Sequence, residues 1–209
     1  MLFIADGRFH LEAAMIANPN LRALRYDPYS KTLTEERYET EKMKAIRRNA
    51  IRRAMDPSVQ VFGIILGTLG RQGSFLIGIE LLLFVDMPFY SRFHFRCIKG
   101  NPAILGQVQS LLRKHEKKSF VLLLSEIFPK KLDMFPHVDA WVQIACPRLS
   151  VDWGHFFTKP VLSAYELNVA LKEEEWREVY PMDFYKMGSG RWSNYHEDNK
   201  KRLIQPPSS

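Results

Sequence analysis

Cysteine is scarce in this sequence, with two residues in 209. This low count argues against a disulfide scaffold and fits a reducing compartment. The most apolar window covers residues 75–85 and includes Glu80, whereas a membrane helix needs about 20 apolar residues. The first residues lack the basic start and long apolar stretch of a secretion signal. We therefore expect a soluble, cytoplasmic protein.

Familiar catalytic and zinc-binding motifs are also missing. The sequence has no C-x-x-C pair, and its six histidines show no metal-ligand spacing. No Ser/His/Asp or Cys/His arrangement is visible, and the glycine-rich stretch at 67–73 matches neither a Walker A motif nor a Rossmann fingerprint. Zinc sites, catalytic triads and the common nucleotide folds are therefore not indicated.

The composition itself is that of an ordinary globular protein, with 46% hydrophobic and 25% charged residues. The net charge of +7 permits an anionic partner. A basic run at residues 42–53 fits either a nucleic-acid surface or a solvated helix face. We favour the solvated face and do not expect a nucleic-acid partner, because no aromatic side chains for base stacking are interleaved with the charges.

Apolar patterning predicts an α/β fold in which helices cover a parallel sheet in three layers. The predicted strands are 59–66, 120–124 and 141–145, and the predicted helices are 35–55, 102–118 and 163–176. Thr32-x-x-Glu35 and Ser163-x-x-Glu166 fit capping boxes, and Asp56-Pro57 fits a helix end. Strands that alternate with helices in this way are joined by right-handed crossovers.

The chain divides into three predicted parts. Residues 1–30, with a short strand at Leu2–Ile4 and two turn-rich stretches, are interpreted as the remnant of a preceding domain and its junction. Residues 31–185 form the C-terminal α/β domain, and residues 186–209 form a disordered tail. Residues 75–100 interrupt an otherwise normal strand, glycine turn and helix, so we interpret them as an insertion. This insertion is either a hydrophobic flap or the product of unspliced sequence, and we favour the second.

Three loops follow the carboxyl ends of the predicted strands, where ligands bind in parallel α/β sheets. They span residues 67–73, 125–127 and 146–148. The glycine-rich loop offers backbone N–H groups to an anion or nucleotide-like ligand, but glycines are equally common in tight turns. Cys146, two residues before Arg148, fits a nucleophile, a soft-metal ligand or a small buried residue.

Several sequence motifs, taken in order, resemble one known family. They are ADGRFHLE (5–12), ANP (17–19), YDPYS (26–30), LGTLGRQG (66–73), LSEIFP (124–129), WVQIACPRLS (141–150), DWG (152–154) and PMDFY (181–185). Through them the chain resembles the C-terminal part of the subunit 1 family of 2-(3-amino-3-carboxypropyl)histidine synthases, which begin diphthamide biosynthesis. The resemblance covers nearly everything except residues 75–100 and the tail.

The resemblance implies a transferase subunit with three similar α/β domains, each giving one cysteine to a 4Fe–4S cluster. It implies that S-adenosylmethionine binds the open iron site and is cleaved reductively. The resulting 3-amino-3-carboxypropyl radical then adds to a histidine of elongation factor 2. A related subunit 2 and an electron-donor protein are the further implied partners.

Residue by residue, Cys146 matches the cysteine of the family's third domain and is the expected cluster ligand. The groups expected to hold the methionine carboxylate are Gly67, Gly70, Arg71, Gln72, Gly73 and Arg148. Glu126 is expected to hold the methionine amino group. The other two cluster cysteines are absent from this sequence, and no ligand role is implied for Cys97.

With one expected ligand out of three, the chain is interpreted as a truncated enzyme subunit. The alternative is a catalytically inactive fragment that acts only as a partner-binding module. Binding of subunit 2 without iron distinguishes the second interpretation from the first.

Overall fold

Two sheets organise the chain in a computed structural model that describes residues 1–67, 83–84, 102–124, 126–144, 146–182 and 190–193. The strands are β1 (Leu2–Ile4), β2 (Ala23–Asp27), β3 (Thr32–Glu36), β4 (Val61–Gly67), β5 (Leu83–Phe84), β6 (Lys118–Leu124), β7 (Ala140–Ile144) and β8 (Val161–Ser163). The helices are α1 (Phe9–Ala17), α2 (Thr40–Ala54), α3 (Pro102–Lys114), α4 (Pro129–Asp133), α5 (Arg148–Trp153) and α6 (Ala164–Ala170). A 3-10 turn, Gly154–Phe156, follows α5.

The larger sheet has the order β5-β6-β4-β7-β8. Its strands β6, β4, β7 and β8 are parallel, and only β5 at the edge runs antiparallel to its neighbour. This arrangement confirms the α/β fold with a parallel sheet. Strand β5 falls within the segment 75–100 that was interpreted as an insertion, and the rest of that segment lies outside the described residues.

Both faces of this sheet are buried, which explains the continuous apolar runs of its strands. On one face, Ile64 packs in a large core with residues of α2, α3 and α6. On the other face, Ile65 packs with Trp141 and with Leu132 of the short helix α4. A Cβ atom at Gly63 would lie 2.1 Å from the Trp141 ring, so this position requires glycine.

The smaller sheet corrects the predicted start of the first helix. Residues 32–36 form β3, which pairs antiparallel with β2, so Thr32-x-x-Glu35 is not a capping box and α2 begins at Thr40. The alternating burial of β3 and its ion pairs to β2, such as Arg25–Glu36 at 3.0 Å, favour a strand here. The sheet therefore extends to Glu36, beyond the domain boundary predicted at residue 30.

The capping box predicted at the last helix is confirmed. The Ser163 hydroxyl accepts the backbone N–H of Glu166, and the Glu166 carboxylate accepts the backbone N–H of Ser163. The helix ends at Ala170 rather than near Trp176, because Lys172 adopts a left-handed conformation with φ of 59°. The short strand β8 that precedes it was not predicted.

Part of the predicted tail belongs to the folded core. Trp192 is fully buried, its ring centroid lies 4.9 Å from that of Tyr165, and the Arg177 guanidinium stacks on it at 4.6 Å. A tryptophan buries a large apolar area, which accounts for its retention in the core. The prediction of disorder is thus wrong for residues 190–193, while 186–189 and 194–209 lie outside the described residues.

A buried ion pair joins α2 to α6 on the same face of the sheet. The Arg47 guanidinium donates to both carboxylate oxygens of Glu166, at 2.6 and 2.7 Å, and both side chains are fully buried. It also donates to the carbonyls of Ser150 at 2.9 Å and Val161 at 2.6 Å. Burial opposes the charge of Arg47, but the Glu166 carboxylate outweighs it and raises the Arg47 pKa.

The solvated helix face expected for the basic run of α2 is therefore wrong at two positions. Arg47 is buried, and so is Lys44, whose ammonium bonds Glu41 and Glu178 at 2.9 Å each. Arg52, by contrast, is exposed as expected. The basic residues of α2 thus contribute partly to packing and partly to the surface.

We predict that Arg47→Met lowers the free energy of unfolding by about 3–5 kcal/mol, because it leaves the Glu166 carboxylate buried without its partner. The control is Arg52→Met on the exposed side of the same helix, expected to change stability by less than about 0.5 kcal/mol. Urea unfolding followed by circular dichroism measures both. Equal losses in the two variants would contradict the importance of the buried pair.

Candidate functional site

The carboxyl ends of three parallel strands lie side by side at one edge of the larger sheet. Gly67 of β4 is paired with Leu124 of β6, and Leu66 is paired with Ile144 of β7. The chain segments that follow these strands therefore leave the sheet together. This topology brings the three predicted loops to a single edge.

Cys146 emerges at this edge as an exposed, free thiol. Its backbone is fixed, since its carbonyl accepts the Leu149 backbone N–H at 3.1 Å and the Gln143 side-chain amide at 3.2 Å. The Gln143 amide also donates to the Ser150 hydroxyl at 3.0 Å. Of the interpretations considered for this cysteine, the small buried residue is wrong, and an accessible thiolate ligand or nucleophile is compatible with its exposure.

The ion pair of Arg47 reaches this same turn. Its hydrogen bond to the Ser150 carbonyl ties α5 to α2, and the hydrogen bond from the Gln143 amide to the Ser150 hydroxyl ties α5 to β7. A Cβ at Gly154 would lie 2.0 Å from the guanidinium, so glycine at this position lets Arg47 approach the end of α5. The segment that carries Cys146 is thus held by a part-buried hydrogen bond at Cys146 and by two buried ones at Ser150.

Arg148 is turned away from solvent. Its guanidinium donates to Glu12 at 2.6 Å, to Asp152 at 2.8 Å and to the Phe9 carbonyl at 3.3 Å. It also stacks over the Phe9 ring at 4.7 Å. Burial opposes its charge, but its hydrogen bonds to the Glu12 and Asp152 carboxylates prevail and raise the Arg148 pKa. Arg148 therefore links α5 to α1 of the smaller sheet unit.

Sequence reasoning placed Arg148 at this edge but missed Glu12 as its partner. The spacing of Arg148 and Asp152 is the i,i+4 signal of a helical ion pair. Glu12 lies 136 residues earlier in the chain, and no local pattern joins the two. Only the packing of α1 beside α5 shows the contact.

The remaining predicted site residues are placed as follows. Glu126 is exposed just after β6, and Gly67 ends β4. Gly70, Arg71, Gln72 and Gly73 lie outside the described residues, as does Cys97. Within the described ranges, no group of three or more His, Cys, Asp or Glu side chains could hold a metal ion.

The model of a family described as "Putative diphthamide synthesis protein" matches residues 1–81 and 96–181. The chain belongs to the diphthamide synthesis family. The unmatched residues 82–95 lie inside the segment 75–100 that was interpreted as an insertion.

Curated relatives in this family are named 2-(3-amino-3-carboxypropyl)histidine synthase subunit 1. The chain is 46% identical to the one from Dictyostelium discoideum over 195 residues, which cover 93% of this chain and 35% of the relative. It is 46% identical to the human one over 202 residues, which cover 96% of this chain and 40% of the relative. The chain thus spans about two fifths of the length of these diphthamide synthesis proteins.

A solved structure agrees with the family assignment. Dph2 from Pyrococcus horikoshii, crystallised with a 4Fe–4S cluster, is 26% identical with a TM-score of 0.57. The similarity covers 87% of this chain and 42% of that one. Thiolates are the usual ligands of such clusters, so the exposed Cys146 fits one ligand position.

Across the helices that the structure describes, none combines the length and the apolar character needed to cross a bilayer.

We predict that Arg148→Met loosens α1 from the rest of the fold and lowers the free energy of unfolding by about 1–3 kcal/mol, because it removes a partner from Glu12 and Asp152. Hydrogen exchange of the α1 amides should become faster. The matched control is Arg22→Met, since Arg22 is an exposed arginine whose ion pair, to Glu35 at 2.7 Å, does not involve α1. Equal exchange of α1 in both variants would show that Arg148 does not fasten α1.

Proposed function

We propose that this chain supplies Cys146 as one thiolate ligand of a 4Fe–4S cluster in the enzyme of the first step of diphthamide biosynthesis. The observation that carries the proposal is the exposed Cys146 thiol on a fixed turn at the carboxyl edge of the sheet. Membership of the family and the cluster of the archaeal neighbour support it. The further thiolates come from polypeptide outside the described residues.

The proposed reaction transfers the 3-amino-3-carboxypropyl group of S-adenosylmethionine to an imidazole carbon of a histidine in elongation factor 2. The bond from the sulfonium sulfur to the aminocarboxypropyl carbon breaks with uptake of one electron, and a carbon–carbon bond forms at the imidazole ring. The adduct then gives up one electron and the ring hydrogen as a proton, so the transfer involves no net reduction. When bound, the cluster supplies the electron for reductive cleavage, so the route is a radical one. Methylthioadenosine is the leaving group.

The residues of this chain contribute binding and orientation. Backbone N–H groups of the 67–73 loop, together with Arg71 and Gln72, are proposed to hold the methionine carboxylate. The exposed Glu126 carboxylate is proposed to hold the amino group. Arg148 can contact the substrate only if it exchanges one of its present partners, Glu12 or Asp152.

The proposal includes partners. The names of the relatives contain "subunit 1", which supports pairing with a second subunit. We propose that this partner is the related subunit 2, that elongation factor 2 is the protein substrate and that an electron-donor protein reduces the cluster. A cytoplasmic location, expected from the low cysteine content, is part of the same proposal.

We predict that Cys146→Ala abolishes the cluster contribution of this chain. The complex is purified anaerobically, through a tag on this chain, from the organism that naturally produces it. The iron and acid-labile sulfide bound to the complex are then measured. Cys97→Ala is the matched control, because it removes the other cysteine of the sequence. Iron and sulfide should fall in Cys146→Ala and stay at the parent level in Cys97→Ala.

Transfer of radiolabel from carboxyl-labelled S-adenosylmethionine to elongation factor 2 should be lost in the same Cys146→Ala complex. Unchanged iron content in Cys146→Ala would refute the ligand assignment. A parent complex that contains subunit 2 but neither iron nor transfer activity would instead support the alternative, a partner-binding module without chemistry.

A further inference from the structure

A second concave surface lies at the opposite end of the larger sheet from Cys146. Its walls are the amino-terminal ends of β4 and β6, at Val61 and Lys118, the last turn of α3, and residues 134–138. The groove has a volume of about 710 Å³. It contains none of the residues assigned to the proposed site, so that site does not explain it.

Three cationic side chains line this groove, and the carboxylate of Asp139, next to the lining residue Val138, is engaged by the backbone N–H groups of Gln60 and Val61. Arg113, Lys117, Lys118 and His137 line it, and its described lining includes no Asp or Glu. Within the described residues, the Arg113 guanidinium donates one hydrogen bond, from its Nε to the Gln109 carbonyl at 3.3 Å. The Lys117 ammonium donates to the Val59 carbonyl at 2.7 Å. In the described part of the structure, the side chains of Lys118 and His137 have no hydrogen-bond or ion-pair partner. Several N–H donors that line the groove can therefore form further hydrogen bonds with a ligand.

The floor of the groove is apolar. It is formed by Val61, Phe120 and Val138, with the exposed Met134 and Pro136 at the mouth. The Met134 side chain is 72% exposed, and a flexible thioether of this kind adapts to varied apolar partners. An apolar floor beneath a cationic rim matches a ligand that is both acidic and apolar.

We propose that this groove binds an acidic segment of a partner protein, in which an apolar side chain lies among carboxylates. The carboxylates pair with Arg113, Lys118 and His137, while the apolar side chain covers Met134 and Pro136. The inference rests on charge complementarity and does not depend on the role of Cys146.

The same observations favour a peptide over single-stranded nucleic acid. Nucleic acid binding of this kind needs aromatic ring faces on which bases stack. Phe120 and Phe135 are half-buried, and both make edge-to-face contacts with Trp141, at centroid distances of 6.0 and 5.6 Å. The most exposed apolar group is instead Met134, which suits an aliphatic or aromatic side chain.

The test uses the full chain and fluorescein-labelled twelve-residue peptides measured by fluorescence anisotropy. One peptide combines Asp and Glu with Leu and Phe, a second replaces the acids by Lys, and a third replaces Leu and Phe by Gly. The charge-reversal variant is Arg113→Glu with Lys118→Glu. The matched control is Lys31→Glu with Arg52→Glu, because both are exposed outside the groove and Arg52 lies in the last turn of α2 as Arg113 lies in that of α3. Circular dichroism checks that both variants are folded.

We expect the acidic apolar peptide to bind most tightly and to lose about tenfold or more in affinity in the groove variant, with no loss in the control. Met134→Ser should weaken that peptide while leaving the acidic peptide without apolar residues unchanged. Equal loss in both charge variants, or equal binding of acidic and basic peptides, would overturn the proposal. Preferential binding of a twelve-nucleotide single strand that is lost in the groove variant would overturn it in favour of nucleic acid.

Discussion

The buried pair of Arg47 and Glu166 is the contact on which the arrangement of the domain depends. One guanidinium satisfies a carboxylate from the start of α6 and two backbone carbonyls, from α5 and β8. Tyr180 donates its hydroxyl to the same carboxylate at 2.8 Å, and burial, with the carboxylate beside it, raises the Tyr180 pKa so that the phenol stays protonated. Buried charges persist only where every group is paired, so the elements around this pair have little freedom to shift.

This constraint extends to the candidate site. Arg47 fixes the Ser150 carbonyl, Gln143 fixes the Ser150 hydroxyl and the Cys146 carbonyl, and the thiol at the end of this series faces solvent. A rigid backbone with an accessible sulfur suits a ligand that must meet a cluster held jointly with other polypeptide. Arg148 of α5 makes a further contact of this kind, because its guanidinium donates to Glu12 and so ties α5 to α1. The turn that carries Cys146 is therefore held by hydrogen bonds from the strand and from α2.

Local sequence signals predicted the parallel sheet, the end of α2 and the capping box at Ser163. They also predicted a helix at 102–118, which in the structure ends at Lys114 because β6 begins at Lys118. Periodicity and capping depend on neighbours a few residues apart, so they are visible in a sequence. Arg47 and Glu166 are separated by 119 residues, and the sequence suggested only a surface arginine and a capping glutamate. The local pattern of residues 32–36 predicts the start of a helix. These residues form a strand because they pair with β2 in a hairpin, and their own sequence does not show that pairing. The position of Cys146 at a strand end was predictable, whereas its exposure and the partners of Arg148 required the packed structure.

The central claim is that the exposed Cys146 thiol becomes a cluster ligand in the assembled enzyme. Its most direct test is alkylation by iodoacetamide of the anaerobically purified complex, before and after iron is removed by a chelator, with Cys146 and Cys97 quantified by mass spectrometry. We expect Cys146 to be protected from alkylation in the iron-loaded complex and to become reactive once iron is removed, while the reactivity of Cys97 does not change. Alkylation of Cys146 at the same rate with and without iron would contradict it.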